Sequence, residues 1–147
     1  ITMSYNILFD TGFWYAFFDK NDNYHKEANK IYDKIQNWKF YIPHPVLYET
    51  LNSKFTKNNI SIAGISALIN DLAKTELIPD DNYKEKALQD VLQGHPRKFS
   101  LVDTVIRKIL QDTGNKIDYF VTFNAKDFYD VCSGRKIILI DNANAVF

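Results

Sequence analysis

A single cysteine, Cys132, stands in 147 residues, which excludes an intrachain disulfide and any zinc site built on several thiolates. No charge sign dominates, because 18 Lys and Arg balance 18 Asp and Glu. That excludes a protein holding nucleic acid by bulk positive charge, though not one with a local basic strip beside an acidic site. No apolar run approaches a membrane span, and nothing near the start has the basic, apolar, small-residue order of a secretion signal. The expectation is a cytoplasmic protein without membrane contact. No glycine cluster follows the first apolar strand, so a dinucleotide-binding fold is disfavoured. What is there is 46% hydrophobic and 15% aromatic, with 24% charged residues. This is the make-up of a folded chain, long enough for one domain with a sizeable core.

Short apolar runs alternate with helical patterns. Asn6 to Phe9 reads as a buried strand that stops at Asp10 and turns through Thr11 and Gly12. A short aromatic helix is expected from Phe13 to Phe18, and a longer one from about Tyr24 to Ile35. Lys39 to Ile42 is a second strand. Pro43 and Pro45 then open a helix on which Leu47, Leu51 and Phe55 share a face. Helix fits Ile62 to Thr75, strand Thr75 to Ile78, and helix Lys84 to Leu92. After the break at Gly94-His95-Pro96, Ser100 begins a helix through Leu110. Tyr119 to Phe123 is a further strand, Ala125 to Val131 a short helix, and Ile137 to Ile140 a last strand. The alternation predicts a three-layer α/β domain with a mainly parallel central sheet flanked by helices.

Four acidic residues fall at equivalent places in these units. Asp10 follows the first strand, Glu49 lies inside the helix after the second, Asp103 sits in the first turn of the helix from Ser100, and Asp127 follows the fourth strand. In a parallel sheet, strand carboxyl ends and the starts of the following helices share one rim. Gathered there, these carboxylates would repel one another, and a divalent cation such as Mg2+ or Mn2+ would relieve the repulsion through hard oxygen ligands. Each also has a structural reading. Asp10 can cap the first helix, Glu49 can face solvent, Asp103 can complete a cap with Ser100, and Asp127 can favour a helix start.

These segments together resemble the PIN-domain nucleases, most closely the VapC-type toxins of toxin–antitoxin pairs. Ile7-Leu8-Phe9-Asp10-Thr11 is similar to the family's opening strand with its first metal-binding aspartate, and Val46-Leu47-Tyr48-Glu49-Thr50 to the segment with its glutamate. Ser100-Leu101-Val102-Asp103-Thr104 resembles the segment of the next aspartate, and Val121-Thr122-Phe123-Asn124-Ala125-Lys126-Asp127-Phe128 the closing motif. The resemblance spans Asn6 to Ile140. It implies a PIN-like domain over residues 6–147, preceded by leader or vector-derived residues and the domain start over 1–5. It further implies a Mg2+- or Mn2+-dependent endoribonuclease whose catalytic and metal ligands are Asp10, Glu49, Asp103 and Asp127. Many members carry aspartate where this chain has Asn124. Asn124 is expected to coordinate through its carbonyl, orient a water, or cap the short helix.

Thr11 and Thr122 are candidate supports for the carboxylates or a water. Arg97, Lys98, Lys54, Lys57 and Arg107 are candidates for RNA phosphate contact, against the alternative of a solvated surface. Cys132 reads as a buried apolar residue. No histidine metal site is expected. A haloacid-dehalogenase-like phosphatase would need a second aspartate two residues after Asp10, where Gly12 stands, and a response receiver fits the pattern poorly. The resemblance implies a homodimer and a small antitoxin partner. The aromatic crowding of Phe13, Trp14, Tyr15, Phe17 and Phe18 supplies a motive for association, unless the second helix covers them within one chain. The alternatives are a housekeeping RNA-processing nuclease and a catalytically weak protein- or RNA-binding module.

Overall fold

The computed structural model describes residues 4–94 and 98–146. The strands β1 (Asn6–Phe9), β2 (Lys39–Pro43), β3 (Thr75–Ile78), β4 (Tyr119–Val121) and β5 (Ile138–Ile140) form one sheet in the order β3-β2-β1-β4-β5. Every pairing is parallel, so the sheet is wholly rather than mainly parallel. The registers place Leu8 opposite Tyr41 on one side and Phe120 on the other. Such strands are covered on both faces, which is why they read as nearly unbroken apolar runs. Ile7, Leu8, Phe9, Phe40, Ile42, Phe120 and Val121 are fully buried.

The connections are helical: α1 (Thr11–Phe18), α2 (His25–Ile35), α3 (His44–Thr50), α4 (Ser53–Thr56), α5 (Asn59–Asn70), α6 (Lys84–Gln93), α7 (Leu101–Gln111) and α8 (Tyr129–Gly134). The helix starts carry their own chemistry. The Asp10 carboxylate accepts from the Thr11 amide at 2.8 Å, Asn58 accepts from Ile60 and Ser61, and Ser100 accepts from Asp103 at 3.0 Å. Each satisfies donors that the first turn leaves open. Gly94 ends α6 in the left-handed region at φ 69°, a conformation that costs glycine little.

The single helix expected to carry Leu47, Leu51 and Phe55 is two helices. Leu51 leaves helical geometry at ψ 46°, and Asn52 starts α4 by accepting from the Phe55 amide at 3.0 Å. Asn52 also donates to the Glu49 carbonyl at 3.1 Å. An asparagine side chain that bonds nearby backbone this way competes with helix continuation. Phe55 is buried and Leu51 exposed, so they share no helix face. The helix expected over Ile62 to Thr75 is displaced towards the N-terminus as α5. A turn follows it, in which the Asp71 carbonyl takes the amides of Lys74 and Thr75, and Leu72 is left 81% exposed. Thr75 must already be extended there, because it pairs with Phe40. Between β4 and α8 stands a 3-10 turn, Ala125–Asp127, instead of the start of one helix.

The aromatic crowd of α1 is largely settled within the chain. Phe13 and Trp14 are fully buried. Phe17 packs on Tyr32 of α2 at 4.5 Å between centroids, and Phe18 on Phe55 of α4 at 5.6 Å. Gly64 makes room for Phe18, since a Cβ there would stand 2.6 Å from that ring. Cys132 is buried too, and burial pushes its thiol pKa up to about 12, as expected of an inert core residue.

Candidate active site

Asp10 stands where the sheet changes direction. The chain leaves central β1 towards β2 and β3 on one side, and later fills the other side with β4 and β5. The last ladder bond on that seam runs from the Asp10 amide to the Val121 carbonyl at 3.1 Å. Crevices beyond strand carboxyl ends at such a switch are the usual sites of parallel sheets.

Two hydroxyls fix the carboxylates of this rim. Thr122, itself fully buried, donates to Asp10 Oδ2 at 2.7 Å and accepts from the Asn124 amide at 3.0 Å. Thr11 donates to Glu49 Oε1 at 2.7 Å. Glu49 lies in the last turn of α3, where the helix's own carbonyls make a carboxylate unwelcome. Its position is therefore not explained as helix stabilisation. The backbone beneath it is tied down by Tyr15, whose hydroxyl donates to the Glu49 carbonyl, and by Asn52, which donates to that hydroxyl. Sequence reading missed Tyr15 and Asn52. The only signal was Asn52 itself, a residue suited to start a helix.

Asp10 and Asp103 feel both burial and the charges of their acidic neighbours. Burial raises the Asp10 pKa above the usual carboxylate range, opposed by the Thr122 and Thr11 bonds and reinforced by Glu49 and Asp127. Burial, then Asp10, pushes Asp103 up to about 6; Asp127 and Glu49 add to this, and the bond with Ser100 opposes it. Among the described residues, no Lys or Arg forms a close ion pair with Asp10, Glu49 or Asp103. The donors are thus of the hard oxygen type, with charge left to neutralise. As the side chains stand, however, no group of three or more acidic, His or Cys residues among the described residues is arranged to hold a metal ion. The rim is chemically suited to a divalent cation but not closed around one.

Asn124 donates to Asp127 Oδ2 and makes no side-chain cap to the 3-10 turn. Of its expected roles, the cap to the short helix is not seen. Its amide steadies the neighbouring carboxylate. Arg107 is partly buried, and its donors are engaged within the chain. Its Nη1 donates to the Asp127 carbonyl at 2.7 Å, and its two ends fork onto Asp130 at 2.8 and 2.7 Å. The guanidinium also lies 4.3 Å from the Phe99 ring centre. It belongs to the scaffold joining α7 to the Asp127 turn.

The other basic candidates scatter. Lys54 is exposed on α4, and Lys57 follows it, so neither lies on the helix of Glu49 as expected. Lys98 is exposed and lines a cavity of about 660 Å³ with Asp90, Phe99, Thr104, Arg107 and Lys108. That cavity lies beside α7, and none of the four acids lines it. Arg97 lies outside the described residues.

Among solved structures, the chain matches VapC20 of Mycobacterium tuberculosis, a sarcin-ricin loop cleaving toxin, with a TM-score of 0.65 and 18% identity. The match covers 92% of this chain and 97% of that one. It also matches VapBC2 from Rickettsia felis, bound to a DNA fragment from their promoter, with a TM-score of 0.55 and 20% identity over the same shares. No protein-family model and no curated sequence matches the chain. At these identities the likeness is one of fold: the chain has the all-parallel α/β fold of these VapC structures.

Proposed function

We propose that this chain is a metal-dependent endoribonuclease, the toxin of a toxin–antitoxin pair, acting through Asp10, Glu49, Asp103 and Asp127 on an RNA phosphodiester. The observation that carries the reading is the shared rim. Asp10 at the end of β1 and Asp103 on α7 have their proton affinity raised by burial and by the charges of the other acids, Glu49 on α3 and Asp127 in the turn after β4 included, with no described cation paired to Asp10, Glu49 or Asp103. The VapC-like fold and the motif resemblance favour RNA as substrate and an antitoxin as partner.

Asp10, Glu49, Asp103 and Asp127 would hold Mg2+ or Mn2+, which supplies Lewis-acid polarisation of the phosphodiester and acidifies attacking water. The chain's own part is placement. Thr122 and the Thr11 amide orient Asp10, Thr11 orients Glu49, and Asn124 steadies Asp127. Without a cation the carboxylates repel a phosphodiester. Protons compete for the same oxygens once the pH falls below about 6, where Asp103 becomes protonated. A homodimer belongs to the same proposal. Its support is the resemblance, together with exposed apolar side chains at Tyr48, Leu51 and Ile60 on neighbouring elements.

The test is cleavage of defined RNAs in Mg2+ or Mn2+. Fragments should appear with the wild type, vanish with EDTA, and fall at least about 100-fold in rate with Asp10→Asn. Titration calorimetry should show weaker metal binding in that variant. Cleavage at an undiminished rate in EDTA overturns the mechanism.

A further inference from the structure

Three rings form a graded stack beside the acidic rim. Phe13 is fully buried, and Phe123 lies over it at 6.4 Å and 17°. Tyr24 lies over Phe123 at 4.4 Å and only 8° from parallel. The roots of the two inner rings sit next to the site. Phe123 directly follows Thr122, which holds Asp10, and Phe13 is two residues beyond Thr11, which holds Glu49. The outermost ring is different: Tyr24 is 48% exposed although Phe123 covers one of its faces. Among the described residues it meets no second ring, and about half of the side chain remains accessible to a ligand. Burial alone does not account for a flat ring held parallel to its neighbour and left half uncovered.

We propose that the outer face of Tyr24 is a stacking platform for one nucleobase of a single-stranded RNA whose phosphodiester lies at the carboxylate rim. This deepens the ribonuclease reading and rests on it. An unpaired base has a flat π-face whatever its identity, and stacking on an aromatic side chain holds it without reading sequence. The platform suits this protein because net charge is near zero and bulk attraction of the RNA backbone is weak. Stacking then supplies grip that phosphate contacts do not. The buried Phe13 and the packed Phe123 fix the tilt of Tyr24, so the base is met by a ring already in place.

The experiment combines a ring substitution with a base deletion. The probe is a short labelled single-stranded RNA, together with a series lacking one base at each position. KM and kcat are measured for wild type, Tyr24→Leu and Tyr24→Phe, and binding is followed by fluorescence anisotropy. One missing base should raise the wild-type KM about tenfold, and Tyr24→Leu should raise it by about the same factor for the intact RNA, the loss of one base stack. Tyr24→Leu should then be indifferent to that missing base, because both changes delete one contact. Tyr24→Phe keeps the ring and should match the wild type. A thermal melt shows that each variant is folded. Cleavage with no dependence on Tyr24 overturns the platform and leaves the nuclease standing. Tyr24-dependent, base-dependent binding without cleavage supports the platform and removes the nuclease. A wild type that neither binds nor cleaves the RNA overturns both.

Discussion

Asp103 shows how one side chain carries both an energetic penalty and a use. It starts α7 with its amide on Ser100, a placement the helix favours, yet burial and then the charges of Asp10, Asp127 and Glu49 push its carboxyl up to about 6. The sign for stability follows from that direction. The folded chain binds the Asp103 proton more tightly than the unfolded chain, whose carboxyl titrates near 3.8. This group's contribution is therefore most favourable below about pH 4 and is lost as the pH rises through about 6. Asp103→Asn removes the charge but keeps the shape. In metal-free buffer at pH 7 the variant should melt about 2–4 °C higher than the wild type, a rise worth roughly 1 kcal/mol after allowing for solvent at the carboxyl. The gain should disappear near pH 4, and saturating Mg2+ should reverse the order, because only the wild type keeps the ligand. Scanning calorimetry at two pH values checks it. A gain of equal size at both would remove the electrostatic account.

At the scale of elements, the site is held together by contacts between segments far apart in the chain. Arg107 is the clearest. It is one turn along α7 from Asp103 and bonds the carbonyl of Asp127 while forking onto Asp130. The spacing between two of the proposed ligands thus depends on one guanidinium. Arg107→Ala should loosen the 3-10 turn and lower metal affinity or kcat by about 10- to 100-fold, as changes behind a ligand shell commonly do. Arg107→Lys should rescue little, because an ammonium does not fork across two oxygens. Amide hydrogen exchange should quicken at Asp127 and Phe128, whose bonds back to Asn124 and Ala125 close the turn, and not in β3. Unchanged exchange there would mean that the turn stands without Arg107.

The whole molecule bears on association. The aromatics of α1, which supplied a motive for pairing, find partners on α2 and α4 of the same chain. The proposed homodimer must therefore use other surface. Light scattering after size-exclusion chromatography should report about twice the 17.1 kDa of one chain. Tyr48→Lys combined with Leu51→Lys, at exposed positions, should shift it towards one chain without loss of fold. A single-chain mass for the wild type at micromolar concentration would end the dimer proposal and leave the nuclease proposal in place. Among the described residues no helix is long and apolar enough to cross a membrane.

Much of this architecture was legible along the chain because a parallel sheet is covered on both sides. Runs such as residues 7–9 and Tyr119–Val121 must then be apolar throughout, and the helices between them must show one apolar stripe. The order of the acids after successive strands followed from the same pattern. Other features depended on residues distant in sequence. Asn52 ends the helix of Glu49 in a network with the Tyr15 hydroxyl from α1. The bonds of Asn124 to Asp127 and of Arg107 to Asp130 are likewise set by the fold. Tyr24 and Phe123, separated by most of the chain, become one stack. Local sequence determined the period, the caps and the burial of each segment, since those depend on neighbours within a turn or a strand. Which donor meets which carboxylate was decided only by tertiary packing, because a side chain satisfies its hydrogen bonds with whatever partner the fold brings within about 3 Å.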